Sequence, residues 1–233
     1  KRLGIKPERE VRIIFGCDEE SGFEDLKYYL DHEKAPVAGF TPDCKYPVVY
    51  AERGRAVIKV KADLDHLITF VNKYILNTQN KGERLGIDYK NDEFGQLEIR
   101  NYHLTKEYFS FSISYPAGLT LEEILNKLYL IEGYEYEVVS HFKPVYFDKK
   151  APMVEIMKET YEYVTGNDGT PVTTTGGTYA KMMPHIVPFG PSFPGQKGIG
   201  HNPNEWMTRK DLITNAKIYA LTLYQLSRKE TEL

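Results

Sequence analysis

The sequence predicts an α/β protein in which a small α+β module interrupts a discontinuous domain. The N-terminal and C-terminal thirds combine short apolar, β-branched runs with amphipathic helices, the pattern of a layered α/β domain. From about residue 63 the order changes to helix, strand, helix and strand, which is typical of a separate α+β layer. We therefore assign residues 1–58 and 147–233 to the outer domain and residues 59–146 to the inserted module.

Composition excludes several classes of protein. The chain has 233 residues, of which 41% are apolar, and its 30 Lys and Arg nearly balance its 33 Asp and Glu. Such a chain is neither compositionally disordered nor a strongly basic nucleic-acid binder. Because no apolar run reaches the ~20 residues of a membrane span, we expect no membrane association. Two isolated cysteines and no signal-peptide pattern favour a cytoplasmic protein.

The N-terminal third begins with an apolar run, residues 11–17, that predicts a buried strand. Ser21 and Glu24 have the spacing of a capping box, which predicts a helix over residues 23–32. Residues 46–52 and 55–62 then predict a strand pair that turns at Arg53 and Gly54.

The middle third predicts an amphipathic helix over residues 64–75, followed by strands at 108–115 and 134–146, where apolar and polar residues alternate. A second helix is predicted over residues 119–130, with Thr120 at its start. Each strand needs one buried face, and the two helices are expected to cover it.

The C-terminal third predicts a helix over residues 153–164 that ends at Gly166. A last helix is predicted to begin at a capping box formed by Thr208 and Asp211. Its inward face is expected to carry Leu212, Ile213, Ala216, Tyr219, Ala220, Leu223 and Tyr224.

Three adjacent carboxylates, Asp18, Glu19 and Glu20, lie between the predicted first strand and the first helix. Open α/β sheets place ligand sites at such strand ends, and crowded carboxylates repel unless a cation or a proton relieves them. Asp43 follows the helix on a loop that could return to the triplet. The alternatives are an ordinary acidic helix start for the triplet and a Pro-Asp turn for Asp43.

His201 differs from the other five histidines because it lies in a glycine-containing loop directly before the last helix. One imidazole and two carboxylates are a suitable ligand set for zinc, manganese or cobalt. The glycine-rich segment at residues 175–181 could approach an anionic ligand, but it lacks the spacing of a phosphate loop, so a nucleotide site is disfavoured.

Four segments together resemble a known family, the dinuclear-zinc dipeptidases of the Xaa-His, carnosinase-like bacterial type. This type belongs to the superfamily of aminoacylase, carboxypeptidase G and succinyl-diaminopimelate desuccinylase. In chain order the segments are Asp18-Glu19-Glu20-Ser21-Gly22, Phe40-Thr41-Pro42-Asp43, Gly176-Gly177-Thr178-Tyr179 and His201-Asn202-Pro203-Asn204-Glu205.

The resemblance implies a role for each candidate residue in the hydrolysis of dipeptides. Glu19 would be the general base that activates water, Glu20 and His201 would bind one zinc ion, and Asp43 would bind the other, with manganese or cobalt as alternatives. The segment with Gly176, Gly177, Thr178 and Lys181 would contact the dipeptide.

The resemblance also implies the domain architecture. Residues 1–58 and 147–233 would form a zinc-peptidase-like catalytic domain, and residues 59–146 a ferredoxin-like lid that closes over the dipeptide and could form a homodimer. Both would be partial.

Several features of the family are missing from the sequence. None of the six histidines is followed by x-Asp, the bridging Asp and the catalytic lid His are absent, and Ser114 stands where the family has Arg. We therefore expect an incomplete chain that is inactive by itself. A related amidohydrolase or deacylase, or a catalytically silent relative that acts through its lid module, remain alternatives.

Overall fold

A computed structural model describes residues 4–196 and 200–231 of the chain. The chain divides into two compact units. The first contains residues 1–50, 147–172 and 178–233, and the second contains residues 51–146 and 173–177. In the described part of the chain, no helix has both the length and the apolar character needed to cross a membrane.

The α-helices are α1 (Glu24–His32), α2 (Leu64–Phe70), α3 (Leu121–Leu128), α4 (Pro152–Thr165) and α5 (Arg209–Leu226). Shorter helical turns are a π-helical turn at Val71–Ile75 and 3₁₀ turns at Glu83–Leu85 and Tyr179–Lys181. The strands are β1 (Gly39–Thr41), β2 (Cys44–Lys45), β3 (Val49–Glu52), β4 (Gly54–Lys61), β5 (Lys90–Asn91), β6 (Gly95–Gln96), β7 (Glu98–Leu104), β8 (Tyr108–Tyr115), β9 (Glu135–Phe142), β10 (Val145–Tyr146), β11 (Val172–Thr174), β12 (Ile186–Pro188) and β13 (Pro191–Ser192).

The second unit is an antiparallel sheet with two helices, as the alternating middle third predicts. Its strands lie in the order β7-β8-β4-β9 and follow the chain order β4-α2-β7-β8-α3-β9, which is the ferredoxin-like arrangement. On β4, Ala56, Ile58 and Val60 are buried and alternate with more exposed residues, so one face of the strand contributes to the core. Leu67 and Phe70 of α2 and Ile124 and Leu128 of α3 complete that core.

Helix α3 begins with a capping box. The Thr120 hydroxyl accepts a hydrogen bond from the backbone N–H of Glu123 at 3.2 Å, and the Glu123 carboxylate accepts one from the backbone N–H of Thr120 at 2.8 Å. This reciprocal pair satisfies two N–H groups that the helix itself cannot pair, so α3 starts where the sequence predicts.

The predicted pairing of residues 46–52 with 55–62 is wrong, although both strands exist. β3 pairs with β10, and β4 pairs with β8 and β9. Only Arg53 separates β3 from β4, which is too short for a hairpin loop. The Arg53 side chain is buried, and its Nε donates to the carbonyl of Phe94 at 2.9 Å. The domain boundary predicted at residue 59 also falls inside β4, which belongs wholly to the second unit.

The first unit contains two short parallel strand pairs, β1 with β12 and β2 with β13, together with α4 and α5. Helix α4 ends at Gly166, whose φ of 71° is left-handed and whose N–H donates to the carbonyl of Glu162 at 2.8 Å, as predicted. The core of this unit contains Tyr46, Val48, Met153, Val154, Met157, Tyr161, Val187, Phe189, Ile218 and Leu226.

The buried strand predicted at residues 11–17 is wrong. The segment has no strand structure, and Ile13 and Phe15 are 72% and 92% exposed. A buried strand needs hydrogen-bonded neighbours, and no strand among the described residues pairs with this segment.

The start of α1 also differs from the prediction. Ser21 does not cap it, and instead the Asp18 carboxylate accepts a hydrogen bond from the backbone N–H of Glu24 at 2.9 Å. The cap residue Phe23 has a φ of 68°, which turns the chain so that the more distant Asp18 can reach the helix end.

Helix α5 begins at Thr208 as predicted, but its buried face differs. Leu212 and Ile213 are 60% and 47% exposed, and Tyr224 is also exposed. The buried residues are Asn215, Ile218, Thr222 and Leu226, which recur every three or four positions along one side of the helix. The apolar pattern missed this face because two of its four members are polar.

The close packing at Gly54 leads to the first prediction. A Cβ at position 54 would lie 2.3 Å from Cζ of Tyr115, and this ring is buried and hydrogen-bonded to His141 Nε2 at 2.6 Å. We expect Gly54→Ala to lower the free energy of unfolding by about 1–3 kcal/mol, measured by urea unfolding. Gly176→Ala is the control, because only one atom lies within 4 Å of its Cβ position. Equal stability of the two variants would contradict the prediction.

The Tyr115–His141 pair leads to a prediction of pH dependence. Burial lowers the pKa of His141, and the positive charge of Lys143 lowers it further. Below the unfolded pKa of about 6.5 the unfolded chain therefore takes up a proton before the folded chain does, so stability should fall as the pH drops. Urea unfolding at about pH 7.5 and at about pH 5.5 should show that the free energy of unfolding falls less for His141→Gln than for the natural chain. Equal losses would contradict this assignment.

Candidate active site

The acidic triplet forms a tight turn organised by Asp18. The backbone carbonyl of Asp18 accepts hydrogen bonds from the N–H groups of Ser21, Gly22 and Phe23 at 3.0–3.3 Å. The Asp18 carboxylate also caps α1, so Asp18 accepts hydrogen bonds both from the turn and from the first residue of the helix. Glu19 is partly buried and Glu20 is exposed, so the three carboxylates of the triplet have different surroundings.

Asp43 lies two residues after β1, near the carboxyl end of this strand, which pairs in parallel with β12. Its side chain is accessible to solvent, yet enough protein surrounds it to reduce the hydration of its charge. This burial raises the pKa of Asp43 above its ordinary value. The negative charge of Glu20 raises the pKa further, and His201 lowers it.

His201 lies in the loop before α5, with a left-handed φ of 57°. Its Nδ1 is 3.6 Å from Oε1 of Glu20, and the two side chains are 80% and 75% exposed. Nearby, the Glu205 carboxylate accepts a hydrogen bond from the backbone N–H of Asn202 at 3.3 Å, which shapes the loop. Glu20, Asp43 and His201 are thus close enough for their charges to interact.

Oxygen and imidazole ligands of this kind suit a divalent cation of hard or borderline character. A cation between Glu20 and Asp43 would relieve the repulsion from Glu20, which adds to the effect of burial on the pKa of Asp43. The ligands are nevertheless not gathered into a closed site. Within residues 4–196 and 200–231, no group of three or more His, Cys, Asp or Glu side chains is arranged to hold a metal ion.

The glycine-rich segment shows several environments. Thr178 is buried, and its hydroxyl accepts a hydrogen bond from the backbone N–H of Ala180 at 3.1 Å, so it begins the 3₁₀ turn at Tyr179–Lys181. Lys181 is partly buried at the end of that turn. Gly176 and Gly177 are exposed and belong to the second unit.

Two residues near the turn, Asp25 and Tyr179, had no role assigned to them from the sequence. The Asp25 carboxylate accepts hydrogen bonds from the backbone N–H of Cys17 at 2.6 Å and from the Tyr179 hydroxyl at 2.6 Å. Burial opposes ionisation of Asp25, but these hydrogen bonds outweigh it and lower its pKa. Burial and the hydrogen bond to Asp25 raise the pKa of Tyr179 to about 12. Tyr179 was visible in the glycine-rich motif, whereas Asp25 resembles any acidic residue in a first helical turn.

Two curated relatives align with nearly all of this chain. A Staphylococcus saprophyticus protein provisionally named a dipeptidase is 27% identical over an alignment 337 positions long, gaps included, which covers 98% of this chain and 72% of the relative. A Staphylococcus aureus protein, also provisionally named a dipeptidase, is 26% identical over an alignment 258 positions long, gaps included, which covers 99% of this chain and 55% of the relative. The chain therefore spans only about half of the second relative's length.

A solved structure shares the fold. The di-peptidase Dug1p from Saccharomyces cerevisiae matches with a TM-score of 0.58 at 13% identity, covering 93% of this chain and 65% of Dug1p. The fold class implied by the sequence resemblance is thereby confirmed. The sequence profile described as Peptidase family M20/M25/M40 matches residues 1–225. Since this match spans nearly the whole chain, the protein belongs to the peptidase family M20/M25/M40.

Proposed function

We propose that the chain is part of a metal-dependent dipeptidase that hydrolyses a peptide bond with Glu19 as general base. The observation that carries the proposal is the charge interaction of Asp43 with Glu20 and His201. Glu20 is the direct neighbour of Glu19 in the chain. Membership of a peptidase family and two relatives provisionally named dipeptidases support the peptide bond as the target.

Three residues would hold the metals. Glu20 and His201 would bind one ion and Asp43 a second, with zinc as the first choice and manganese or cobalt as alternatives. Bound divalent metals supply acidity to water and polarise the scissile carbonyl. Nδ1 of His201 already lies 3.6 Å from Oε1 of Glu20, which favours one ion shared by both residues over two separate ions.

Glu19 would take a proton from water and return it to the leaving amine. This role suits a carboxylate that stands beside the metal ligands without being one of them, since it stays able to accept the proton. Glu19 is partly buried while its neighbour Glu20 is exposed, which gives the two side chains different surroundings.

The substrate would be a dipeptide, with the Xaa-His type as the first choice. Gly176 and Gly177 would let their backbone approach the peptide, because they are exposed and carry no side chain. Thr178 would hold the segment in shape through its hydrogen bond to Ala180, and Lys181 would supply a positive charge. The second unit would be the lid, with the first unit as the catalytic domain, in a cytoplasmic enzyme that could form a homodimer through its lid.

A related amidohydrolase or deacylase would use the same residues on a different acyl group. A catalytically silent relative is a further candidate, and one observation favours it: the described residues hold no three-ligand metal group. Both candidates predict no hydrolysis of dipeptides.

The role of Glu19 can be tested by Glu19→Ala in the complete product of the gene. Removing a general base should lower kcat by roughly 10²–10⁴-fold while zinc stays bound. Steady-state hydrolysis of an Xaa-His dipeptide and the zinc content should be measured together. Glu24→Gln is the matched control, because Glu24 is an exposed carboxylate on the same segment that pairs with Lys27 at 3.6 Å. Undiminished turnover in Glu19→Ala would rule out the base.

The metal ligands can be tested by zinc titration of the 233-residue chain and of the complete product. Because catalytic zinc sites usually have three protein ligands, the 233-residue chain should bind zinc weakly and hydrolyse no dipeptide. The complete product should bind zinc tightly and hydrolyse dipeptides. His201→Ala should weaken zinc binding to the complete product by more than about 10-fold. His66→Ala is the control, since His66 pairs with Asp63 at 2.8 Å in the same kind of exposed His–carboxylate contact. Equal zinc binding by both variants would contradict the ligand assignment.

A further inference from the structure

A partly buried pair of side chains, Asp25 and Tyr179, joins the acidic turn to the 3₁₀ turn at Tyr179–Lys181 within the first unit. The Tyr179 hydroxyl donates a hydrogen bond to Oδ2 of Asp25 at 2.6 Å. The same oxygen accepts hydrogen bonds from the backbone N–H groups of Cys17 at 2.6 Å and Asp18 at 3.1 Å. One carboxylate oxygen therefore binds the start of the acidic turn and the first residue of the turn at Tyr179–Lys181.

The packing around this pair leaves little freedom. A Cβ at Gly16 would lie 2.1 Å from the Tyr179 hydroxyl oxygen and 2.8 Å from Oδ2 of Asp25, so the backbone at position 16 lies directly against both groups. The ring of Tyr179 packs against Phe23 with ring centroids 5.5 Å apart, and Phe23 is only 5% exposed. The pair is therefore enclosed on one side by backbone and on the other by an aromatic ring.

Each end of the pair is anchored in the surrounding backbone. Asp25 lies in the first turn of α1, whose N-terminus is capped by the Asp18 carboxylate. The carbonyl of Tyr179 accepts hydrogen bonds from the N–H groups of Met182 and Met183 at 3.1 and 2.9 Å. Because Glu19 and Glu20 follow Asp18 directly, a displacement of Asp18 would move both carboxylates.

We propose that Asp25 and Tyr179 are a positioning pair that holds Glu19 and Glu20 in register with the segment at residues 178–181. This inference rests on the proposed function, because it assigns the pair to the same site. Charge-assisted hydrogen bonds to a carboxylate are short and directional, so they fix orientation better than apolar packing alone. Neither residue touches the substrate in this role.

The first experiment uses Tyr179→Phe in the complete product of the gene. The variant keeps the ring that packs on Phe23 and removes only the hydroxyl. We expect kcat for an Xaa-His dipeptide to fall by about 10–100-fold, the usual cost of losing a residue that orients ligands. KM should change less, and the visible spectrum of the cobalt-substituted enzyme should shift because the ligands adopt a different geometry.

Tyr29→Phe is the matched control. Tyr29 also lies on α1, and its hydroxyl accepts a hydrogen bond from Arg12 at 3.0 Å, so the change again removes one charge-assisted hydrogen bond. It should leave kcat and the cobalt spectrum as in the natural enzyme. If Tyr179→Phe fails to fold, as judged by circular dichroism, Asp25→Asn replaces it, because an amide oxygen can still accept the backbone hydrogen bonds but carries no charge.

A second readout needs neither metal nor activity. In the metal-free 233-residue chain, hydrogen exchange of the Cys17 and Asp18 amides should be faster in Tyr179→Phe than in Tyr29→Phe, because a held amide exchanges slowly. If the natural enzyme hydrolyses no dipeptide, the proposed function fails, and hydrogen exchange and the cobalt spectrum still decide on the pair. A variant Tyr179→Phe with lowered thermal stability but natural kcat, cobalt spectrum and exchange rates would overturn the proposal.

Discussion

Repulsion between carboxylates is the constraint on which the candidate site depends. Burial raises the pKa of Asp43, the negative charge of Glu20 raises it further, and His201 offsets part of the rise. A fold that brings such groups together must hold them by other interactions, and here these come from the backbone: amide groups bind the carboxylates of Asp18 and Asp25. The acidic turn is thus held in part by two carboxylates that accept hydrogen bonds from backbone N–H groups.

The second unit was the most predictable part of the fold because its signals are local and periodic. Alternation in β8 and β9, the apolar face of α2 and the start of α3 at Thr120 all describe the same sheet with two covering helices. Strand pairing was less predictable. β3 pairs with β10, and β4 pairs with β8 and β9, which lie far away in the sequence. The pattern of residues along one segment contains no information on such distant partners.

In the first unit, the errors in the predicted strand and in the buried face of α5 have a common physical origin. Each depends on residues that are distant in the sequence. The apolar segment at residues 11–17 has the composition of a strand but no strand partner in the part of the chain that is described. Helix α5 buries Asn215, whose side-chain amide donates to the carbonyl of Pro191 at 3.2 Å. Hydropathy predicts that this polar residue is exposed. Hydropathy along the sequence detects neither the lack of a strand partner nor a tertiary hydrogen bond.

The candidate site was predictable in its chemistry but not in its support. Glu20, Asp43 and His201 are residue types that ligate metals. Each was predicted to lie in a loop next to a strand or a helix, where the fold could bring their side chains close together. The different task of Asp18 could not be inferred, because the three carboxylates of the triplet look alike in the sequence. It follows from geometry: the Asp18 carboxylate, on the shorter side chain, caps α1 at Glu24, whereas Glu19 and Glu20 extend from the turn that Asp18 closes. Aspartate and glutamate in such a motif are therefore not interchangeable, since one methylene group separates a residue that shapes the turn from residues that the turn presents.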